Sequence, residues 1–397
     1  MKKFFIFIFC FIIIDFILSQ LFLLDILYHK QISTFKNDIE NRIPNLNYNY
    51  EFKKNIFFES RYNSGFNNLD YKIYTNNLGF RDSSIRKLNE NKLYSIVIGD
   101  SFVEGTGLQY QDTLVAKLNN KLNPQQFNNY EFLNAGVASY SSYIYKKKIK
   151  WLLNNTDWLN VNSVILLYDK SDLHDDLNYL DKPKVFSTKK KIFKNPKKEK
   201  LKRDIKNFKI GSIITEQTMI GIFYREVLGA SLENFIQNMK FRIQLSNGFN
   251  SNIFKLNSAE INTLYSTHQY KWLQKYFYNP HWSNEGIKSI NFAFENFNEL
   301  KLFLDKKKIK LYVVTYPWPF ELLDQYTSEK YLKYLKNKFL EKNISNILIY
   351  EKFKQGNIAE NIFKYYIPKD IHFNNEGNEI LSNEIYKRLL QDNLIKD

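Results

Sequence analysis

Cysteine is all but absent. The 397 residues contain one, Cys10, which excludes an internal disulfide framework and gives no basis for cysteine-ligated metal or redox chemistry. Histidine is scarce too, with five in the chain, so the choice of an imidazole base is narrow. No repeat of solenoid period is visible. Acidic residues are outnumbered, 41 against 57 Lys and Arg, leaving a net charge of +16. What is present is a globular composition, 44% apolar and 25% charged, in a chain long enough for one large elaborated domain or two.

The one long apolar run lies at the N-terminus, after Met1-Lys2-Lys3, from Phe4 to Leu27, interrupted by Asp15, Ser19, Gln20 and Asp25. At about 1.5 Å per helical residue it can cross a hydrocarbon core of about 30 Å, and the leading lysines favour a cytoplasmic N-terminus. Asp15 opposes this by about 3 kcal/mol, and Ser19 offers a weak cleavage site. As anchor or as cleaved signal the run sends the remainder outside the cytoplasm, the periplasm in a Gram-negative cell. Phe9 before Cys10 is too bulky for a lipid-attachment site.

The positive charge concentrates between Lys182 and Arg203, but no nucleic-acid motif accompanies it. A solvated basic arm is the simpler reading, with contact to anionic lipid or an acidic polysaccharide as the alternative. Nucleic acid is not an expected partner.

Three segments follow: residues 1–28 as the transmembrane or signal segment, 29–90 as a stalk and pre-core region, and 91–397 as an α/β domain. Strands are expected at Tyr94 to Ile98, Tyr130 to Leu133, Ser163 to Tyr168, Lys310 to Thr315 and Asn346 to Tyr350. Helical periodicity falls at Thr113 to Leu122, Tyr143 to Leu153, Ile287 to Leu304, Ser328 to Leu340 and Asn375 to Leu390. Alternating strands and helices imply a parallel sheet covered on both faces. The interval from about 177 to 285 is too long for a loop and is read as a helical insertion.

Gly99-Asp100-Ser101-Phe102 follows the first core strand, at the sheet edge where α/β proteins place their ligands. Ser101 with Glu104 also fits a capping box, although Gly105 and Gly107 weaken a simple helix there. Two similar strings compete for the base: His281-Trp282-Ser283-Asn284-Glu285-Gly286 and His372-Phe373-Asn374-Asn375-Glu376-Gly377. Only the second has an aspartate two residues before its histidine, Asp370, and only it follows the last core strand. His29 flanks the apolar run, and His268 lies in the insertion without a neighbouring carboxylate.

With Gly-Asp-Ser-Phe after the first strand and Asn134-Ala135-Gly136-Val137 after the second, the chain resembles the GDSL or SGNH hydrolases, serine esterases and acyl-transfer enzymes. The resemblance covers about residues 76 to 391 apart from the insertion. It implies a flavodoxin-like three-layer sandwich with a five-stranded parallel sheet, Ser101 as nucleophile, His372 as base and Asp370 as its orienting carboxylate. It also implies an oxyanion hole built from the backbone N–H groups of Ser101 and Gly136. Asn77-Leu78-Gly79-Phe80-Arg81 looks like a stretch preceding the core in relatives and is read as packing.

Two departures stand out. The family's usual Asp-x-x-His is here Asp370-x-His372, as in a branch similar to alginate acetyltransferases. The third block, usually Gly-x-Asn-Asp, reads Asp169-Lys170-Ser171-Asp172, putting Ser171 in place of the oxyanion-binding asparagine. Asp172 and His174 are secondary candidates for substrate contact. Asp169, Asp172, Asp175 and Asp176 lack the glycine and terminal glutamate of an EF-hand, so neither metal nor cofactor is expected.

The resemblance implies an extracytoplasmic esterase acting on an O-acyl group, acetyl on a cell-surface glycan or another small ester. An O-acyltransferase is the alternative, and a non-catalytic glycan-binding or assembly component the second. Membrane acyltransferases or polysaccharide-assembly proteins are partners consistent with either.

Overall fold

The computed structural model describes residues 10, 11, 13–18, 40–64, 67–122, 129–181, 284–323, 325–368 and 370–395. The chain divides into two compact units, Met1–Asn37 with Ser187–Asn257, and Asp38–Phe186 with Ser258–Asp397. Of the first, only residues 10, 11 and 13–18 are described. They are helical and expose Phe11, Ile13, Ile14, Ile17 and Leu18. Among the described residues no helix is long and apolar enough to cross a membrane. Most of the N-terminal apolar run, the basic arm, the interior of the insertion, and His29, His268 and His281 lie outside the described residues.

The second unit begins with a separate hairpin, β1 (Arg42–Asn45) and β2 (Asn49–Phe52). β3 (Phe57–Ser64), β4 (Asn67–Thr75) and β5 (Arg81–Asp82) follow. The core strands are β6 (Leu93–Ile98), β7 (Tyr130–Asn134), β8 (Asn160–Tyr168), β9 (Lys310–Thr315) and β10 (Ser345–Leu348). Their order in one sheet is β10-β9-β8-β6-β7-β5-β4-β3.

The five core strands are mutually parallel, and their order is that of the flavodoxin-like sheet, with the switch point between β6 and β8. Their runs are apolar almost throughout because a parallel sheet is covered on both faces, and β6, β8 and β9 are buried along nearly their whole length.

The expectation of a five-stranded sheet needs correction: among the described residues the sheet has eight strands. Residues 57–82, assigned to the pre-core region, form an antiparallel extension joined to β7 through Arg81 opposite Asn134. They pair the β7 edge, which would otherwise present unpaired N–H and C=O groups.

Helices α1 (Ser101–Glu104), α2 (Leu114–Lys121), α3 (Ser142–Asn155) and α4 (Lys170–Asp181) follow β6, β7 and β8. Next come α5 (Asn284–Lys306), α6 (Pro319–Leu323), α7 (Gln325–Glu341), α8 (Tyr350–Phe353), α9 (Ile358–Tyr365) and α10 (Asn375–Gln391). α10 packs on α2, while α5 packs on α3 and α4. Right-handed crossovers leaving the switch point in opposite directions place these groups on opposite faces of the sheet.

Candidate active site

β6 delivers its last residues into a sharp turn. Asp100, not Ser101, caps α1: its Oδ1 accepts the Phe102 N–H at 3.0 Å. The capping-box reading of Ser101 is thereby replaced, and the serine occupies the first helical position, where a backbone N–H has no intrahelical acceptor. The helix stops after one turn because Gly105 takes a left-handed conformation, φ 80°. Buried Arg81 holds that end, donating from Nη1 to Glu104 O at 2.6 Å and Gly105 O at 2.7 Å, and from Nη2 to Leu108 O at 2.5 Å. The Asn77–Arg81 stretch therefore does more than pack, since its arginine secures the nucleophile-bearing turn.

At the other end of the chain, a short bridge between Tyr366 and Phe373 and the bond from Ile367 N–H to His372 O at 2.8 Å set a compact turn. Asn374 then caps α10 by accepting the Gly377 N–H at 3.1 Å. These constraints bring three sequence candidates together. His372 Nε2 lies 2.7 Å from Ser101 Oγ, and Nδ1 lies 2.5 Å from Asp370 Oδ1. Asp370 Oδ1 also accepts the His372 backbone N–H at 2.9 Å. Ser101 is half-buried, and Asp370 and His372 are buried.

The orienting shell contains a residue that sequence reasoning missed. Tyr62, on β3, donates its hydroxyl to Asp370 Oδ2 at 2.7 Å and sets its ring edge-on to His372, centroids 5.4 Å apart. Phe102 covers the imidazole from another side at 4.8 Å. Burial works to raise the Asp370 carboxyl, but the His372 charge, its hydrogen bonds and that of Tyr62 prevail and hold it below its ordinary value. Burial likewise works to lower His372, and it is outweighed by Asp370, with Asp100 and Asp169 adding to the field, so the imidazole lies above its ordinary value. With Asp370 ionised, Nδ1 carries the proton and Nε2 is free to accept from Ser101.

The two expected oxyanion donors beyond Ser101 are otherwise occupied. The Gly136 N–H donates to Asn134 Oδ1 at 3.1 Å. Its lack of a side chain serves close packing instead, since a Cβ there would sit 2.5 Å from Glu104 N and 2.6 Å from Val103 Cβ. In the same loop Ser139 adopts φ 61° and is exposed, a conformation uncommon for serine.

Ser171 Oγ lies 2.5 Å from Asp169 Oδ1 and 3.1 Å from Asp100 Oδ2. Burial, with Asp169 adding, raises Asp100 well above the usual carboxylate range. The Ser171 hydroxyl has one proton and two carboxylate acceptors, Asp169 Oδ1 the nearer and Asp100 Oδ2 the farther, so it is held inside the protein.

Asp169 accepts further from Ser171 N–H at 2.7 Å, Tyr316 Oη at 3.0 Å and Trp318 Nε1 at 3.2 Å. Carboxylate oxygens of Asp100, Asp169 and Asp172 lie within 4.8 Å of one another. Asp172, a candidate for substrate contact, is buried under the sheet edge, where it accepts from Tyr145 Oη at 2.7 Å and the Asp169 N–H at 3.0 Å. Burial, then Asp169, raises its carboxyl as well. It is a structural group, because both its oxygens are engaged inside the protein. His174 sits half-buried on α4.

No family model matches the sequence, and no curated protein matches it. Among solved structures the chain is similar to a member of the lipolytic G-D-S-L family from Veillonella parvula, at 13% identity and a TM-score of 0.34, over 74% of this chain and 97% of that one. It is also similar to a GDSL-like lipase from Bacteroides thetaiotaomicron, at 11% identity and a TM-score of 0.33, over 76% and 89%. At that level of likeness the functional reading rests on the site's own geometry.

Proposed function

We propose that the chain is a serine esterase that works through an acyl-enzyme on Ser101. The observation that carries this reading is the continuous chain Ser101 Oγ, His372 Nε2 at 2.7 Å, His372 Nδ1 to Asp370 Oδ1 at 2.5 Å. A hydroxyl, an imidazole and an ionised carboxylate in that order are what a weak oxygen nucleophile needs.

His372 Nε2 takes the Ser101 proton as Oγ bonds to the ester carbon, and Asp370 stabilises the imidazolium that forms. The tetrahedral oxyanion collapses, the bond to the alcohol oxygen breaks, and His372 gives that oxygen its proton. A water molecule repeats the sequence on the acyl-enzyme, releasing the acid and restoring Ser101. The Ser101 N–H, free of the helical pattern, is the first oxyanion donor.

The esterase is placed outside the cytoplasm, held by its N-terminal segment, with an acyl group, acetyl in the simplest case, on a cell-surface glycan as substrate. Support for the location is the run from Phe4 to Leu27 behind two lysines. Support for the glycan is the location alone.

The test is release of p-nitrophenol from p-nitrophenyl acetate, with and without a glycan acceptor, beside Ser101→Ala. Turnover at least about a thousandfold above that of the variant is expected, and equal turnover would overturn the assignment. Acceptor-dependent acyl transfer would convert the reading from hydrolase to transferase.

A further inference from the structure

Lys148, on α3, is a buried amine that the ester chemistry does not use. Its Nζ donates to Ala135 O at 3.0 Å and lies 3.4 Å from Tyr140 Oη, which leaves one N–H unassigned. It sits among the rings of Tyr140, Phe80 and Tyr48, with centroids at 4.8, 5.1 and 5.8 Å. No carboxylate forms an ion pair with it among the described residues.

The acids closest in the fold are committed elsewhere. Glu51 accepts from Tyr48 and from Asn45, and Glu104 accepts from Arg42 at 2.9 Å and from the Ala138 N–H at 2.6 Å. A buried ammonium without a counter-ion is costly, and this one lines a cavity.

That cavity has a volume of about 200 Å³. Tyr48 and Phe80, the rings over which the ammonium lies, wall it together with Trp151 and Trp158. Lys54, exposed, stands at its margin. Asn155 and Thr156 add polar atoms. The Asn155 amide donates one N–H to Trp151 O at 2.7 Å, leaving its second N–H and its carbonyl for other partners. The volume falls below the roughly 300–1,000 Å³ of pockets for drug-sized ligands, so the occupant is about one ring in size. Aromatic faces carry negative charge density and suit the C–H faces of a saturated ring, and Asn155 suits its hydroxyls.

We propose that this cavity binds a single carboxylate-bearing sugar ring, with the Lys148 ammonium as the carboxylate's partner. The proposal is independent of the esterase reading, and Ser101→Ala leaves it intact. Burial first, and the Arg42 charge second, lower the Lys148 amine to about 7, against the opposing pull of Glu51 and Glu104. Tyr48 and Tyr140 face it without carrying charge. The bound carboxylate favours the ammonium, so affinity rises as pH falls through that value.

The experiment is titration of the full-length chain with galacturonate, galactose and benzoate, read by tryptophan fluorescence at pH 6 and pH 8. Saturable quenching by galacturonate, at least about tenfold tighter than by galactose and tighter at pH 6, is expected. Equal binding of the two sugars, no saturable signal, or tighter binding of benzoate would overturn the proposal. Lys148→Met is expected to abolish the preference for the acid. Trp158→Ala, at the half-exposed rim, provides a second check that does not alter the buried amine. Galacturonate affinity unchanged in that variant would also count against the site.

Discussion

Two buried clusters lie at the same edge of the sheet, Asp370 with His372 and Tyr62 in one and Asp100, Asp169 and Asp172 in the other, and the shifts of Asp370 and of Asp100 and Asp172 run in opposite directions. Asp370 faces an imidazole and receives the Tyr62 hydroxyl and a backbone N–H, and despite its burial it stays below its ordinary value. Asp100 and Asp172 face Asp169 in a space as dry, and burial with that like charge holds both well above theirs. Burial is common to the two, so the neighbouring charge decides the direction in which each carboxyl shifts. The first cluster can orient a base. The second holds the Ser171 hydroxyl internally.

This contrast can be broken in three places. The largest effect is expected from Asp370→Asn, which removes the ionised member of the first cluster and reverses the preferred tautomer of His372. The ester hydrolysis rate should fall by about three to four orders of magnitude, as loss of the orienting carboxylate does in a Ser-His-Asp protease. A fall of tenfold or less in steady-state kcat would show that Asp370 does not hold the base.

Next comes Asp169→Asn, which tests whether the second cluster reaches the first. Catalysis needs neutral His372, and the native imidazole is raised, so the rate climbs with pH through a value above about 6.5. Removing one of the charges that raise it should move this acid limb to lower pH, as a pH–rate profile of kcat/KM would show. An unmoved limb would separate the clusters.

The smallest effect is expected for Ser171→Ala. A hydroxyl bound to carboxyl groups contributes little to the transition state, so the rate should change by no more than about threefold in kcat. Loss of an oxyanion donor costs about two to three orders of magnitude, and a drop of that size would return Ser171 to the hole.

The parallel half of the sheet was legible because strands covered on both faces read as continuous apolar runs, as in Val164 to Tyr168 and Leu311 to Val314. The antiparallel half was not. β3 and β4 are rich in Asn, Tyr and charge, and their place depends on the two-residue strand β5 beside β7. With them went Tyr62, which meets Asp370 across 308 positions and leaves no local pattern.

The Ser101, His372 and Asp370 candidates were accessible from spacing, scarcity of histidine and the resemblance to a known motif. Their hydrogen-bonded order came only from the fold. Assigning Ser171 and Gly136 to the oxyanion relied on aligned position, and position does not report who already holds a hydroxyl or an N–H. For Gly136 a signal existed: Asn134 two residues earlier is an Asx-turn residue, which captures such an N–H. For Ser171 the same signal existed in Asp169, two residues earlier, which accepts both its N–H and its hydroxyl, whereas the contact to Asp100, from the turn after a different strand, left none.

The most direct test of the account is active-site labelling with a fluorophosphonate, followed by intact-mass and peptide mass spectrometry. One adduct per chain, on Ser101, lost in His372→Ala, is the predicted result. An unlabelled chain, or an adduct on another residue that persists in Ser101→Ala, would contradict the claim that His372 and Asp370 make Ser101 a nucleophile.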